Sequence, residues 1–401
     1  MKILAIAHEP ALNGASKSLL DVLEFLNQTD KIILIVPFKH SRIEEEAKKR
    51  NISVLNVEYH KWMAQKIIKK DSFMSQIKWI IKYPVMWHLY YKWKNRKTFI
   101  NLARYVEQEK IDLLYTNTRV IDLGAQLNRL TGIPHVWHIR EFGEEDFKYV
   151  PFTNYKRHWD FISKYSNAVI VNSHAVEKKF RRVLSENLPI KMIYNGVDNK
   201  NEYMHSFDKD FKKQPVNFLI SGRISEAKGQ GTLIEAIRIL IKRNEKNFMV
   251  YFAGQGNIET LNVKLDGDLE QHCVFLGQVE NMTELRKKMD VELMCSRAEA
   301  FGRVTVEAMM SSLAVIGSAS GGTKELIEDG ITGLLYTPED AEDLADKMQR
   351  LIDHPEKIQV LAQAAYPIAI TCYSKDSYCE NVAEYIRKVY KNSNECCKKD
   401  S

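Results

Sequence analysis

The sequence predicts an α/β protein made of two doubly wound, parallel-sheet domains. Short apolar runs bounded by polar residues alternate with helical patterns along most of the chain, the arrangement that pairs parallel strands through crossover helices. Its 401 residues exceed the usual size of a single domain. The alternation also stops at NKNEYMHSFDKDFKKQP, which holds few apolar residues, and restarts at Val216. A first domain is therefore expected over residues 1–196 and a linker over 197–215. A second domain follows over 216–373, then a closing helix over 374–391 and a tail over 392–401.

Hydrophobic residues make up 45% and charged residues 27% of the chain, an ordinary globular balance. The opening MKILAIAHEP has too short an apolar run for a leader peptide and reads as a strand. No stretch reaches the length of a membrane span. The six cysteines form no CxxC pair, and Cys396-Cys397 lie in a polar terminus. A disulfide framework or structural zinc is not expected, and a reduced, cytoplasmic setting is.

The net charge of +6 is unevenly spread. Ten Lys or Arg face one acid, Asp71, between Lys61 and Lys97, and Trp62, Trp79, Trp87 and Trp93 fall in the same window. Basic stems beside tryptophan suit an anionic membrane surface. A plainer reading is a basic helix pair whose Trp face packs on the sheet. Aromatics interleaved with basic charge also occur in single-strand binders, but no nucleic-acid partner is expected.

In chain order, residues 2–7 form the first strand. Gly14 and Ala15 precede a helix carrying Leu19, Leu20, Leu23 and Leu26. Strand, glycine loop and helix can cradle phosphate, although a helix start needing a small residue reads equally well. Strands follow at 31–38, 52–57, 111–117, 133–141, 167–173 and 190–196, with helical segments between. His138 comes just after Val136-Trp137 at one strand end, followed by Arg140 and Glu141, while Asn172-Ser173 closes another. A lone His after a strand is more often structural. Asn195-Gly196 suggests a turn with positive φ.

The second domain opens with the strand Val216 to Ser221, then Gly222-Arg223, Lys228-Gly229 and an amphipathic helix. Two cations beside glycines at a strand–helix turn can converge on phosphate oxygens. An exposed basic turn is the plainer reading. Further strands end at Gly254 and near Val279. Residues 291–295 read as a buried strand, followed by Glu299, Phe301-Gly302 and a helix with Val304, Ala308 and Met309 on one face. A glycine thus opens a helix just past the carboxyl end of a strand, where open α/β sheets bind ligands. Glu299 and Glu307 would frame that crevice. Alternatively, Glu307 pairs with Arg303, four residues earlier. Asp266-Gly267-Asp268 reads as a solvated loop rather than a metal site. Gly317 to Gly322 lacks the GxSxG spacing of a hydrolase elbow and reads as a turn. Three helices close the chain, with Pro367 expected to kink or break the second.

The segments EAFGRVTVEAM, SASGGTKELIEDGITGLL and IYNGVD together resemble retaining glycosyltransferases of the GT-B architecture, family 4. The resemblance implies two Rossmann-like domains facing a cleft, with the last helix crossing back to the first. It implies catalytic roles for Glu299, His138, Arg223 and Lys228. Donor contacts would come from Gly14, Gly254, Val279, Phe301, Gly302, Arg303, Val304 and Glu307, and acceptor contacts from Arg140, Glu141, Asn172 and Ser173. Within that set Glu299 would hold the sugar, Glu307 the ribose, and Arg223, Lys228 and the Gly302 helix start the diphosphate. The nucleotide-sugar is a substrate, and no metal or other cofactor is implied.

The implied reaction moves a hexose, from a UDP-sugar by preference, to a hydroxyl of a lipid-linked glycan in capsular or exopolysaccharide assembly. It would proceed at the inner face of the plasma membrane. A nucleotide-sugar epimerase of the same fold and a non-catalytic partner subunit are the alternatives. One departure is visible: Met310-Ser311-Ser312-Leu313-Ala314 stands where relatives carry a small residue, glycine and proline.

Overall fold

The computed structural model describes residues 1–65, 73–198, 214–261 and 267–399. Two compact units are present, Met1–Gly196 with Lys375–Ser401, and Val197–Ser374. Most of the expected linker lies outside the described residues, as does Asp266.

The first unit begins with β1 (Lys2–Ile6), α1 (Gly14–Leu26), β2 (Lys31–Val36), α2 (Arg42–Lys49) and β3 (Ser53–Asn56). Next come β4 (Met63–Gln65), α3 (Phe73–Gln108), β5 (Leu113–Asn117), α4 (Leu123–Thr131) and β6 (His135–Ile139). It continues with α5 (Glu144–Phe147), β7 (Tyr149–Pro151), α6 (Tyr155–Lys164), β8 (Ala168–Val171), α7 (His174–Arg181) and β9 (Ile190–Met192). The main sheet is parallel, in the order β3-β2-β1-β5-β6-β8-β9. Ile3, Leu4, Ala5 and Ile6 are all fully buried, as expected for a strand covered by helices on both faces.

The second unit contains β10 (Val216–Ser221), α8 (Gln230–Lys242), β11 (Phe248–Ala253), α9 (Gly267–His272), β12 (Cys273–Gly277) and α10 (Met282–Arg286). It continues through β13 (Val291–Met294), α11 (Arg303–Met310), β14 (Ala314–Ser318) and α12 (Thr323–Leu326). It ends with β15 (Leu334–Tyr336), α13 (Ala341–Asp353) and α14 (Glu356–Cys372). Its parallel sheet runs β12-β11-β10-β13-β14-β15. Strand order therefore reverses between β10 and β13, and the loops leaving their carboxyl ends diverge there. Such a switch point opens a crevice without further design.

The closing helix, α15 (Lys375–Lys399), belongs to the first unit. Tyr378, Cys379, Val382, Ala383 and Ile386 share a core with Leu19, Leu23 and Ile3. Lys375 pairs with Glu24 at 3.0 Å and Arg387 with Asp30 at 2.9 Å. The helix extends to Lys399, where a frayed tail was expected, since no glycine or proline interrupts that stretch.

Other expectations are corrected. α3 is one helix rather than a pair. A short antiparallel pair, β4 with β7, was not foreseen. The helix α14 runs through Pro367, Asp268 sits in the first turn of α9, and neither Asn195 nor Gly196 adopts the expected positive φ. Trp62 leaves the basic window altogether. It is buried, donates from Nε1 to the Arg119 carbonyl at 2.7 Å, and lies 4.2 Å from the His158 ring. The side chains of Trp79 and Trp87 lie outside the described residues.

α3 is held by its inward face. Tyr91 donates its hydroxyl to Asp122 at 2.5 Å, and Gln126 donates to the same carboxylate at 2.7 Å. Burial pushes the Asp122 carboxyl up to about 6, against the opposing pull of these hydrogen bonds. In the unfolded chain this group titrates at about 3.9, so the folded state binds the proton more tightly. Its contribution to stability is complete below about pH 4 and is lost as pH rises through about 6. Asp122→Asn is therefore expected to stabilise the fold by roughly 1–3 kcal/mol at pH 8 and to give no gain at pH 4. Thermal unfolding across that range checks it, and an equal shift at both pH values would contradict the assignment.

Candidate active site

The loops at the carboxyl edge of the second sheet are laced together by their own backbones. After β10, the Gly222 amide donates to Ala253 at 2.8 Å and the Ile224 amide to Gln255 at 2.8 Å, while the Gly254 amide donates to Gly277 at 2.7 Å. Across the switch point, the Arg297 amide donates to Ala227 at 3.2 Å. The loop after β14 closes on the one after β13: the Gly322 amide donates to the Glu299 carbonyl at 2.7 Å. A Cβ on Gly321 would sit 2.3 Å from that carbonyl oxygen, so the SASGG turn can lie there only without a side chain. Together these bonds fix the carbonyl and α-carbon of Glu299.

The carboxylate of Glu299 receives the Lys228 ammonium at 2.8 Å. Lys228 stands on the short 3₁₀ turn Glu226–Lys228, and both side chains remain partly exposed, 36% for Lys228 and 26% for Glu299. Burial works to raise the Glu299 carboxyl. The Lys228 ammonium and the Ser296 hydroxyl outweigh it and hold the carboxyl below its ordinary range. The site thus keeps an anion and a cation in contact, each reachable from solvent.

Gly302 precedes α11 with φ +99° and no side chain caps the helix. The first-turn N–H groups of such a helix carry partial positive charge, a natural seat for phosphate. Phe301 is buried behind the turn, its ring 6.1 Å from that of Tyr373. Arg303 and Val304 are half-buried at the helix start. The buried face of α11 is Thr305, Val306, Ala308, Met309 and Met310, so Val304 does not share it.

Glu307 does pair with Arg303, at 3.0 Å, and also with Arg286 at 3.1 Å. Arg223 is exposed on the turn after β10 and has no ion-pair partner among the described residues. Gly254 and Val279 are half-buried at the ends of neighbouring strands. The sequence-derived donor set of the second unit is accordingly gathered along one sheet edge. Gly14, in the first unit, is the first residue of α1 behind an Asn13 cap, inside the helix rather than before it.

The remaining first-unit candidates are buried. His138 lies within β6 and is fully buried. Its Nδ1 meets the Tyr115 hydroxyl at 2.6 Å and Nη2 of Arg140 at 3.3 Å. Burial, aided by Arg140, drives its pKa well below the ordinary value, and its Nε2 has no hydrogen-bond partner among the described residues.

Arg140 donates to Asn117 at 2.6 Å, to Tyr378 at 2.7 Å and to Asn195. Glu141 accepts the Arg119 and Arg140 amides at 2.6 and 3.0 Å. Asn172 donates to the Arg140 carbonyl at 3.1 Å, and Ser173 caps α7 through the Val176 amide at 3.2 Å. All four are under 9% exposed, and Oδ1 of Asn172 has no hydrogen-bond partner among the described residues.

Two features were missed. Glu9, immediately beyond β1, keeps 23% of its side chain exposed and lies 3.3 Å from Nε2 of His8. Burial raises its carboxyl, but His8 and Lys61 bring it below the ordinary range. The HEP triplet after the first strand was the available signal. The other is Glu292, a carboxylate inside the apolar run VELMC that is fully buried against Arg286.

Comparison with known proteins agrees with this architecture. The family model "Glycosyltransferase Family 4" matches residues 12–201, and "Glycosyl transferases group 1" matches residues 204–367. An uncharacterized glycosyltransferase of Methanocaldococcus jannaschii is 28% identical over 291 residues, 71% of this chain and 76% of that protein. A Campylobacter jejuni α-1,4-N-acetyl-D-galactosaminyltransferase, named for a diphospho-undecaprenol-linked glycan, is 30% identical over 41% of this chain and 45% of its own. Among solved structures, Anabaena HepE in complex with UDP superposes with a TM-score of 0.76 at 21% identity, covering 97% of this chain and all of that one. The two family models between them take in both units, and the chain belongs to the GT-B glycosyltransferases of the group 1/family 4 type.

Proposed function

We propose that this glycosyltransferase moves a hexose from a UDP-sugar to a hydroxyl of a lipid-linked glycan, with retention at the anomeric carbon and without a metal. The observation that carries the donor half is the partly exposed Lys228–Glu299 pair beside the uncapped start of α11. An ammonium has three donors, so Lys228 can hold Glu299 and a phosphate oxygen together. Arg223 and the α11 N–H groups add positive charge for the leaving diphosphate, the electrostatic stabilisation that dominates such chemistry. Glu299 would orient the sugar through its hydroxyls, and Glu307 would accept the ribose hydroxyls.

In the transfer step the acceptor oxygen bonds to the anomeric carbon on the face that the phosphate oxygen leaves. The acceptor proton passes to that phosphate oxygen, giving a glycoside and a nucleoside diphosphate. UDP is favoured because the structurally similar HepE binds it. A lipid-linked acceptor is supported by the Campylobacter relative, whose name specifies one. In the first unit, Glu9 rather than the buried Arg140 set is the carboxylate open to an acceptor hydroxyl.

A membrane-facing acceptor also fits the outer face of α3. Met86, Leu89, Tyr90 and Trp93 are 41–71% exposed there, at the spacing of one helical stripe. Lys94 lies over the Trp93 ring at 5.1 Å, and Lys92, Arg96 and Lys97 are exposed beside it. Apolar groups flanked by lysine and arginine suit an anionic lipid surface. Among the described residues no helix is long and apolar enough to cross a membrane.

Two experiments test these readings. Incubated without acceptor, the protein is expected to release nucleotide slowly from one of UDP-, GDP- and ADP-glucose. Glu299→Gln and Lys228→Ala should each lower that rate by about 10²–10³, and the freed sugar should keep the donor's anomeric configuration by NMR. No release from any donor, with no nucleotide binding by calorimetry, would favour the partner-subunit reading. In vesicle sedimentation, binding should rise with phosphatidylglycerol content. The Lys94→Glu/Lys97→Glu variant should lose at least roughly 2 kcal/mol of affinity. Equal binding to neutral and anionic vesicles, or none to either, would contradict the membrane reading.

A further inference from the structure

Beneath the site lies an ion network that the transfer chemistry does not itself require. Glu292, in the middle of β13, is fully buried and is flanked in the sheet by Leu219 of β10 and Val315 of β14. Its Oε2 accepts from Nε of Arg286 at 2.7 Å and its Oε1 from Nη2 at 3.2 Å, a two-point clamp. Oε1 also accepts from the Ser221 hydroxyl at the end of β10. The same Nη2 of Arg286 reaches Oε2 of Glu307 at 3.1 Å, while Arg303 holds Oε1 of Glu307 at 3.0 Å. Burial acts to lower the Arg286 pKa, and the two carboxylates more than reverse it, so the guanidinium is permanently charged.

A buried ion pair adds little net stability, because desolvation offsets its attraction and apolar pairs of similar volume serve a core as well. What this pair does supply is direction. A guanidinium fixed at two points by Glu292 presents its remaining edge at one place, and Glu307 is the group there. Glu307 itself keeps 28% of its side chain exposed, on the second turn of α11.

We propose that Glu292 and Arg286 are positioning residues. They hold the Glu307 carboxylate in the one orientation that accepts both hydroxyls of a nucleoside diphosphate's ribose, and so couple ribose recognition to the body of the sheet. The inference rests on the reading of Glu307 given above. Ser221 extends the coupling to the turn bearing Arg223 and Lys228, because its hydroxyl bonds the same carboxylate.

The test compares UDP, GDP and ADP with their 2′,3′-dideoxy analogues by calorimetry on the full chain, in wild type and in Arg286→Met/Glu292→Leu. The double variant replaces the buried pair by apolar groups and is expected to keep a wild-type Tm. The preferred nucleotide should bind about tenfold more weakly, the worth of one charge-assisted hydrogen bond. The dideoxy analogue should bind the two proteins alike, so that the preference for ribose collapses. A folded double variant that keeps the wild-type preference would overturn the inference and leave Glu307 as a ribose contact. A wild type that binds nucleotide without preferring ribose would instead overturn the Glu307 reading, and this inference with it. No binding by wild type would reject the donor site as a whole. If the double variant unfolds, Arg286→Lys carries the same comparison. Its single ammonium cannot bridge two carboxylates as the planar fork does, and the ribose preference should fall there too.

Discussion

The ion pair between Lys228 and Glu299 joins the two loops that leave adjacent strands of the second sheet, at 2.8 Å. Each partner would be poorly placed without the other. Lys228 sits on a single turn of 3₁₀ helix with little packing of its own. Glu299 is on an irregular stretch between β13 and α11. The parallel topology brings them together: β10 and β13 are neighbours in space although about seventy residues separate them in the chain, so both loops open at the switch point. The glycine turn after β14 then lies against the Glu299 backbone and fixes it from behind. The result is a pair of opposed charges held in contact while each stays partly exposed.

The polar interior is treated differently in the two units. In the first, buried polar groups are spent on architecture. Arg119 is fully buried, 4.7 Å from the Trp159 ring, and Arg140 links β5, β6, the segment after β9 and α15. His135, whose pKa burial lowers to about 4, bonds Thr116 and the Tyr165 carbonyl. Most of their polar atoms are paired, as buried polar atoms usually are, although Nε of Arg119 has no hydrogen-bond partner among the described residues. In the second unit the buried charge of Glu292 and Arg286 instead runs outward to Glu307, and thus to the surface of the site.

The fold was largely legible because its signals are local. Strand and helix alternation, the polar break near residue 200 and the glycines at strand ends each announce themselves within a few residues. The grouping of Glu299, Gly302 and Glu307 was legible for the same reason, since they belong to one loop and one helix. The burial of the first-unit candidates was not legible, because position at a strand end does not say which face a side chain takes. His138 points toward Tyr115 and Tyr378, and the latter comes from α15, more than two hundred residues away. Nothing near His138 in sequence signals that cover. For Trp62 the plainer of the two readings, packing on the sheet, is the one observed, and its partners Trp137 and His158 arrive from distant elements. Glu292 differs in that its signal was present, a charge within an apolar strand, while its partner six residues earlier was not evident.

A crystal structure of the protein soaked with UDP tests the central claim most directly. The distal phosphate is expected within hydrogen-bond distance of the Lys228 ammonium and the first-turn amides of α11. The ribose hydroxyls should lie on Glu307, and Glu299 should still be in reach of Lys228. Diphosphate bound elsewhere, or a Lys228–Glu299 pair that must break for the nucleotide to enter, would contradict it.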